Sequence, residues 1–300
     1  MHIGILSVRD EAYHPNSRLM GAAVQMGHRV SLIHTRDCLS CIRDGRPTLK
    51  LPRDDLPEIL LPRIGATIND YALSVVRHFE LSGIRVVNGF ESILMARNKF
   101  MGLQILARHG ISVPDSHLVV TREGFERSVE RLGGYPVVAK MPSSRQGNGV
   151  IRVTSQATAS FVMHNLQDNA RGILVQEYIP PEGRTDIRAF VLGDQVIGAM
   201  ALEPGPADFR TNIHLTGQGQ MMALNPSLSK LAVQASCTLG LEISGVDIIL
   251  DKNGFPKVIE VNYSPGFRGL EQATGIDIAK RIIHHVTAKK LRSVPCTSAS

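Results

Sequence analysis

Gly245-Val246-Asp247-Ile248-Ile249-Leu250, carried through Asp251-Lys252-Asn253-Gly254-Phe255 into Pro256-Lys257-Val258-Ile259-Glu260-Val261-Asn262, reads as two strands joined by a turn. Taking 252–255 as the loop sets Asp251 opposite Pro256 and Asp247 opposite Glu260. The two-residue period of a strand then puts Asn262 on the face of Glu260 and turns Val261 to the core. Directly opposed carboxylates lie roughly 5 Å apart and repel unless a cation sits between them. Asp, Glu and Asn oxygens suit Mg²⁺, with Mn²⁺ as an alternative, and Mg²⁺ keeps its remaining positions for water and phosphate. A solvated acidic face on an edge hairpin is the other reading.

Working outward, the chain N-terminal to this hairpin alternates strand and helix. His2–Ser7 is a short apolar strand, 16–27 has helical periodicity with Asn16 as its cap, and Arg29–His34 is a second strand. A strand over 59–64, a helix over 70–83 and a strand over 85–88 continue a parallel α/β unit. No G-x-G-x-x-G follows the first strand, where the sequence is Ser7-Val8-Arg9-Asp10-Glu11, so this is not an ordinary dinucleotide site. One long helix is expected over 91–108, stopped by Gly110 and Pro114.

The remainder reads as α+β. Helices are expected over 122–132 and 156–166, and strands over 136–141, 149–153 and 173–178. Strands over 186–192 and 195–202, a helix over 227–241, the hairpin and a helix over 276–291 follow. This gives an N-terminal domain at 1–95, a central domain at 96–180, a C-terminal domain at 181–290 and a frayed tail at 291–300.

The 300 residues hold Lys+Arg 33 against Asp+Glu 27, a net +6 that suits anionic ligands such as nucleotides or acidic peptides. Nucleic acid is argued against by the absence of Trp and of any block of basic residues. No apolar run is long enough for a membrane span and no leader opens the chain, so a cytoplasmic location is expected. Four cysteines are too few for a disulfide scaffold, and Cys38-Leu39-Ser40-Cys41 has no second pair to complete a zinc site.

The loop Ser143-Ser144-Arg145-Gln146-Gly147-Asn148-Gly149 lies between two strands and offers backbone N–H groups, hydroxyls and two glycines that permit close approach to phosphate. Lacking Gly-Lys-Ser/Thr, it reads equally as an ordinary hairpin loop. Lys140, ending the apolar Val137-Val138-Ala139, is either a snorkelling edge residue or a phosphate contact.

Together these residues resemble a family. Lys99 in Ala96-Arg97-Asn98-Lys99, Lys140 before a small-residue loop, Gln176-Glu177-Tyr178-Ile179, Asp186-Ile187-Arg188, Asp247 and Glu260-Val261-Asn262 follow the order of the ATP-grasp fold. Leu61-Pro62-Arg63-Ile64-Gly65, Asp208-Phe209-Arg210-Thr211-Asn212, Ser264-Pro265-Gly266 and 274–279 are similar to the RimK-type alpha-L-glutamate ligases within it. The resemblance implies ATP between the central and C-terminal domains, with Lys99 and Lys140 on its phosphates. Ser143, Gly147 and Gly149 would belong to the closing loop. It also implies Glu177 and Tyr178 at the adenine, Asp186 at the nucleotide, Arg210, Thr211 and Asn212 facing the phosphates, and Asp247, Glu260 and Asn262 as magnesium ligands. Arg188 and Arg210 are the candidate clamp on the charge of phosphoryl transfer. The implied reaction joins a carboxylate to an amine with release of ADP and phosphate, adding L-glutamate to a C-terminal carboxyl of a protein or peptide. Another amino acid or a small amine remains an alternative, as do a small-molecule carboxylate acceptor and a synapsin-like nucleotide-binding regulator without turnover. Self-association is left open. The stretch Ala201-Leu202-Glu203-Pro204-Gly205-Pro206-Ala207 lacks the basic side chains the family places before this segment, so the resemblance specifies ligation more narrowly than it specifies the acceptor.

Overall fold

The structure, a computed structural model, describes residues 1–52, 55–65, 68–142, 149–166, 172–202 and 219–288. Near the N-terminus, β1 (His2–Ser7), β2 (Arg29–His34), β5 (Ile59–Pro62) and β6 (Arg85–Val86) form a parallel sheet in the order β2-β1-β5-β6. All six residues of β1 and all four of β5 are buried, as central parallel strands require. The strands β3 (Leu39–Arg43) and β4 (Arg46–Lys50) make a separate hairpin that the sequence reading passes over. Helix α1 (His14–Gln25) starts before the expected position, with Tyr13 at its cap. Asn16 is instead buried, and its Nδ2 donates to Ser7 Oγ at 3.1 Å and to the Asp10 carbonyl at 2.8 Å, tying down the turn that leaves β1.

Helix α2 (Asp70–Leu81) is capped by Asn69, which accepts from the Ala72 amide at 2.8 Å. The expected single helix over 91–108 is two, α3 (Phe90–Ala96) and α4 (Lys99–Arg108). Asn98 ends the first by capping the second: its Oδ1 accepts from the Phe100 and Met101 amides.

The central module contains β7 (Ser116–Val119), α5 (Arg122–Arg131), β8 (Val137–Lys140), β9 (Val150–Val153), α6 (Gln156–Leu166) and β10 (Ile173–Glu177). Its antiparallel sheet runs β7-β10-β8-β9. The last part holds β11 (Thr185–Leu192), β12 (Gln195–Leu202), β13 (Gly219–Met221), α7 (Pro226–Thr238), β14 (Ile243–Leu250), β15 (Pro256–Asn262), α8 (Arg268–Thr274) and α9 (Ile278–Thr287). Its antiparallel sheet runs β13-β12-β11-β14-β15.

The cores show which parts are packed as one. One cluster joins Leu60, Val76 and Phe79 of the first part to Ile187, Ala232, Val246 and Val261 of the last. A second joins Ile3, Ile5 and Leu19 to Phe190, Phe267, Ile282 and Ile283. The third, Phe125, Val137, Ala139, Val162 and Val175 among its members, lies wholly within the central module. Asn88 fastens the first and last parts together. It is 3% exposed, donates to the Ile243 and Tyr263 carbonyls and accepts from the Glu242 and Ile243 amides.

Candidate active site

The hairpin β14–β15 reaches the expected pairing by an unexpected route. Asp251 closes the turn on itself: its amide donates to the Phe255 carbonyl at 3.1 Å, and its Oδ1 accepts from the Asn253 and Phe255 amides. Gly254 supplies the left-handed residue at φ 81°. The loop is therefore one residue shorter than expected, and Leu250, not Asp251, lies opposite Pro256. A β-bulge between Asp247 and Ile248 then restores the register, so that Asp247 does lie opposite Glu260 and Gly245 opposite Asn262. The extra residue, Ile259, also lets Val258 and Val261, three apart in sequence, both enter the core.

Strand β11 extends this row, because Arg188 pairs with Asp247 across β11–β14. Arg188, Asp247 and Glu260 thus stand side by side on three neighbouring strands. Phe190, two residues along β11, shares that face but is covered by Phe267, with ring centroids 6.4 Å apart. The face is apolar where α8 and α9 pack and charged beyond them. Arg188 grips Asp247 bidentately, Nε to Oδ1 at 2.7 Å and Nη2 to Oδ2 at 2.6 Å. Lys99, set at the first position of α4 by the Asn98 cap, makes a close ion pair with Glu260.

Lys140 comes to the same place from β8 of the central module. Burial, followed by the neighbouring charge of Lys99, lowers its pKa to about 8, while Glu260 and Asp247 pull it back up. Burial likewise works against the Glu260 carboxylate, but Lys99, Lys140 and Arg188 outweigh it and hold the carboxyl below its usual range. Three cations therefore face two carboxylates in a partly dry cleft. That is one positive charge in excess before any ligand arrives. Asn262 Oδ1 accepts from the Ser264 amide at 2.9 Å, fixing the amide at the end of the row.

Glu177 closes the end of β10. It accepts from the Asp115 amide at 2.9 Å and makes a close ion pair with Lys257, a residue of β15. Tyr178 lies beside Arg152, whose guanidinium carbon is 5.7 Å from its ring centroid. Asp186 is buried against Arg184, Nε to Oδ1 at 2.8 Å, and shares the β11 face with Arg188. Gly149 stands at φ 78° where β9 begins, and its carbonyl accepts from the Met141 amide at 3.3 Å. Ser143, Gly147, Arg210, Thr211 and Asn212 lie outside the described residues.

The sequence reading overlooked Lys257 and Arg184. The second had a visible signal, since Arg184, Asp186 and Arg188 alternate in sign at the two-residue period of one strand face. Cys38 and Cys41 are free thiols, and burial pushes Cys38 up to about 12.

Residues 96–286 match the RimK-like ATP-grasp domain and residues 1–93 the RimK PreATP-grasp domain. The chain belongs to the RimK-like ATP-grasp family. A "Probable alpha-L-glutamate ligase 2" from Hahella chejuensis is 37% identical over 291 residues, which covers 95% of each chain. A RimK domain ATP-grasp protein of Sphaerobacter thermophilus has the same fold, with a TM-score of 0.75 at 21% identity over 95% of this chain and 99% of that one. The ATP-grasp ligase PsnB, in complex with a phosphomimetic variant of its minimal precursor, Mg and ADP, has a TM-score of 0.71 at 18% identity over 95% and 97% of the two chains. The protein is thus an ATP-grasp ligase.

Among the described residues no group of three His, Cys, Asp or Glu could hold a metal. Asp247, Glu260 and Asn262 instead offer two carboxylates and an amide oxygen, donors of the kind a hard divalent cation takes. No helix among the described residues is long and apolar enough to cross a membrane.

Proposed function

We propose that this ligase uses magnesium-ATP to activate a carboxylate as an acyl phosphate and joins it to the amine of L-glutamate, with the C-terminal carboxyl of a peptide or protein as acceptor. The observation that carries this reading is the row Arg188–Asp247–Glu260 with Lys99 and Lys140 against it. An excess of fixed cations beside two carboxylates suits a polyphosphate and a divalent ion together. The names of the relatives support glutamate, and the precursor bound to PsnB supports a peptide acceptor.

A carboxylate resists amines because its oxygen leaves poorly. Transfer of the γ-phosphoryl group to a carboxylate oxygen, with ADP departing, creates a good leaving group. The amine then attacks the acyl carbon, phosphate departs and the amine loses a proton. Lys99 and Lys140 would bind phosphate oxygens, and Arg188, oriented by Asp247, would hold negative charge as it spreads during transfer. Asp247, Glu260 and Asn262 would hold Mg²⁺, which neutralises phosphate charge when bound. Arg210, Thr211 and Asn212 complete the proposed phosphate side. Glu177, Tyr178 and Asp186 would border the base and the sugar. Ser143, Gly147 and Gly149 would cover the phosphates.

The test is phosphate release from Mg-ATP with each amino acid, with and without peptides ending in a free carboxylate. Release that needs both L-glutamate and the peptide supports the reading. Nucleotide binding without release under any combination would replace it with a regulatory binder, and release with a different amine would reassign the substrate.

A further inference from the structure

A second charged position lies at the carboxyl ends of the parallel strands. Arg63 follows β5, and its amide donates to the Leu6 carbonyl at 2.7 Å, which places it level with the end of β1. In open parallel sheets this edge is where ligands bind. Arg63 is 7% exposed. Its Nη2 donates to the Pro265 carbonyl at 2.6 Å, its guanidinium carbon is 5.9 Å from the Phe267 ring centroid, and its Nε is buried without a hydrogen-bond partner.

No carboxylate pairs with Arg63 among the described residues. Glu271, on the neighbouring α8, is committed elsewhere. It accepts from Arg18 Nε at 3.0 Å and from the Ile278 amide at 3.1 Å. Two further orphans share the spot. His14, edge-on to the same Phe267 ring at 5.5 Å, has a buried Nδ1 without a partner, and Asn16 has a buried Oδ1 without one. These three atoms, Arg63 Nε, His14 Nδ1 and Asn16 Oδ1, gather where β1 and β5 end. A buried guanidinium without a counter-charge among the described residues is costly, so it calls for an anionic partner. Tyr13, close enough to act on the guanidinium electrostatically, is 41% exposed, which leaves Arg63 one side chain from solvent.

This position is coupled to the reaction row. Asn262 Oδ1 holds the Ser264 amide, and the next carbonyl, Pro265, is the one Arg63 grips. Three residues of chain span at most about 10 Å, so Asn262 and the Pro265 carbonyl are near neighbours. The carboxylate that reacts must sit at Arg188, Lys99 and Lys140, whereas the amine substrate brings a carboxylate that does not react and still needs a cation. The planar fork of arginine matches that group.

We propose that Arg63 is a specificity residue that binds a non-reacting carboxylate of the amino acid supplying the amine, with His14 beside it. The proposal rests on the ligase reading above. It is tested by steady-state kinetics on wild type, Arg63→Met and Arg63→Lys with L-glutamate and its two monoamides, L-glutamine and the α-amide. Losing a charged hydrogen-bonding partner raises the KM for L-glutamate roughly tenfold or more. Arg63→Met is expected to show that rise, to leave the KM for ATP within about twofold, and to lose the preference of wild type for glutamate over one monoamide; Arg63→Lys should fall between. An unchanged KM for glutamate would overturn the proposal. So would a parallel loss for ATP and glutamate with the monoamide preference kept, because that marks Arg63 as a brace for 262–265.

Thermal melting in the presence of Mg-ADP separates this from failure of the ligase reading and needs no turnover. Glutamate should raise the wild-type melting temperature most, that of Arg63→Lys less, and that of a folded Arg63→Met least. Equal shifts in wild type and Arg63→Lys would overturn the assignment even if Arg63→Met does not fold. Absence of phosphate release together with glutamate shifts graded in that order would sink the ligase reading and leave Arg63 as an amino-acid carboxylate site.

Discussion

Asp247 has two demands on it, since Arg188 takes both of its oxygens and Glu260 stands directly opposite. Asn at this position keeps the shape but drops the charge, leaving Arg188 without its counter-ion. Gln at position 260 does the same to Lys99. Because fixed charge matters most as the phosphoryl group moves, Asp247→Asn and Glu260→Gln should each reduce turnover by about 10²–10³ while ATP binding weakens less. Turnover with saturating ATP, set beside the nucleotide dissociation constant, checks this, and near-normal rates in both variants would end the metal assignment. In the proposed reading Lys140 acts on the ground state. Removing a point charge from a partly dry cleft should raise the KM for ATP by roughly tenfold in Lys140→Met. An unchanged ATP dependence would return Lys140 to the role of a snorkelling strand-end lysine.

The elements show where sequence is legible and where it is not. The pairing of Asp247 with Glu260 could be read because strand periodicity and a turn of polar residues constrain it strongly, yet the assumed loop was one residue too long. The self-bonded Asp251 and the bulge at Ile259 shift the register once in each direction, and no periodicity argument reveals a compensating pair. The broken helix had a signal that apolar spacing overrode: Asn98 is a strong cap, and Arg97-Asn98-Lys99 interrupts the run where the cap forms. The hairpin β3–β4 carried Asp44-Gly45, both at positive φ, the pair that tight hairpins favour. A third level, contact between distant elements, is invisible in sequence. Glu242, just before β14, accepts from Arg85 of β6 at 2.9 Å and lies 3.2 Å from His285 of α9. Burial disfavours its carboxylate, but His285 and Arg85 outweigh that and hold the carboxyl below its ordinary 4.5. A lowered folded-state pKa means that the unfolded chain binds more protons below 4.5, so the stabilisation is present above that pH and is lost as pH falls through the folded value. Because Glu242 is more than a third exposed, the contribution is under about 1 kcal/mol. Glu242→Gln should melt slightly below wild type near neutral pH, and the two melting temperatures should converge as pH falls below 4.5. A difference that persists or grows in acid would show that the carboxylate is not the source.

At the scale of the molecule, the first and last parts share two cores and the central module keeps one of its own. What joins the module to the base near the site is polar. Lys257 pairs with Glu177, the Val258 amide donates to the Ser112 carbonyl, the Lys99 amide donates to the Pro142 carbonyl, and Arg184 Nη1 donates to the Ile179 carbonyl at 2.7 Å. Hydrogen bonds and ion pairs of this kind can be exchanged for others at little net cost, whereas pulling apart a shared apolar core would forfeit about 25 cal/mol per Å² exposed. The module is therefore expected to move as a body over the row Arg188–Asp247–Glu260, carrying Lys140 with it. An acyl phosphate needs such a cover because water would otherwise consume it. The expected closing loop falls at 143–149, mostly outside the described residues, so the test belongs on its flanks. Backbone hydrogen exchange in Val150–Val153 and at Met141 should slow on adding magnesium with a non-hydrolysable ATP analogue, while residues 3–6 of β1, buried in the shared core, should barely change. Slowing confined to the module, and absent in Lys140→Met at the same nucleotide concentration, would tie closure to phosphate contact. Equal exchange with and without nucleotide would mean that the module is already seated, and protection of the reaction from water would then have to come from the acceptor itself.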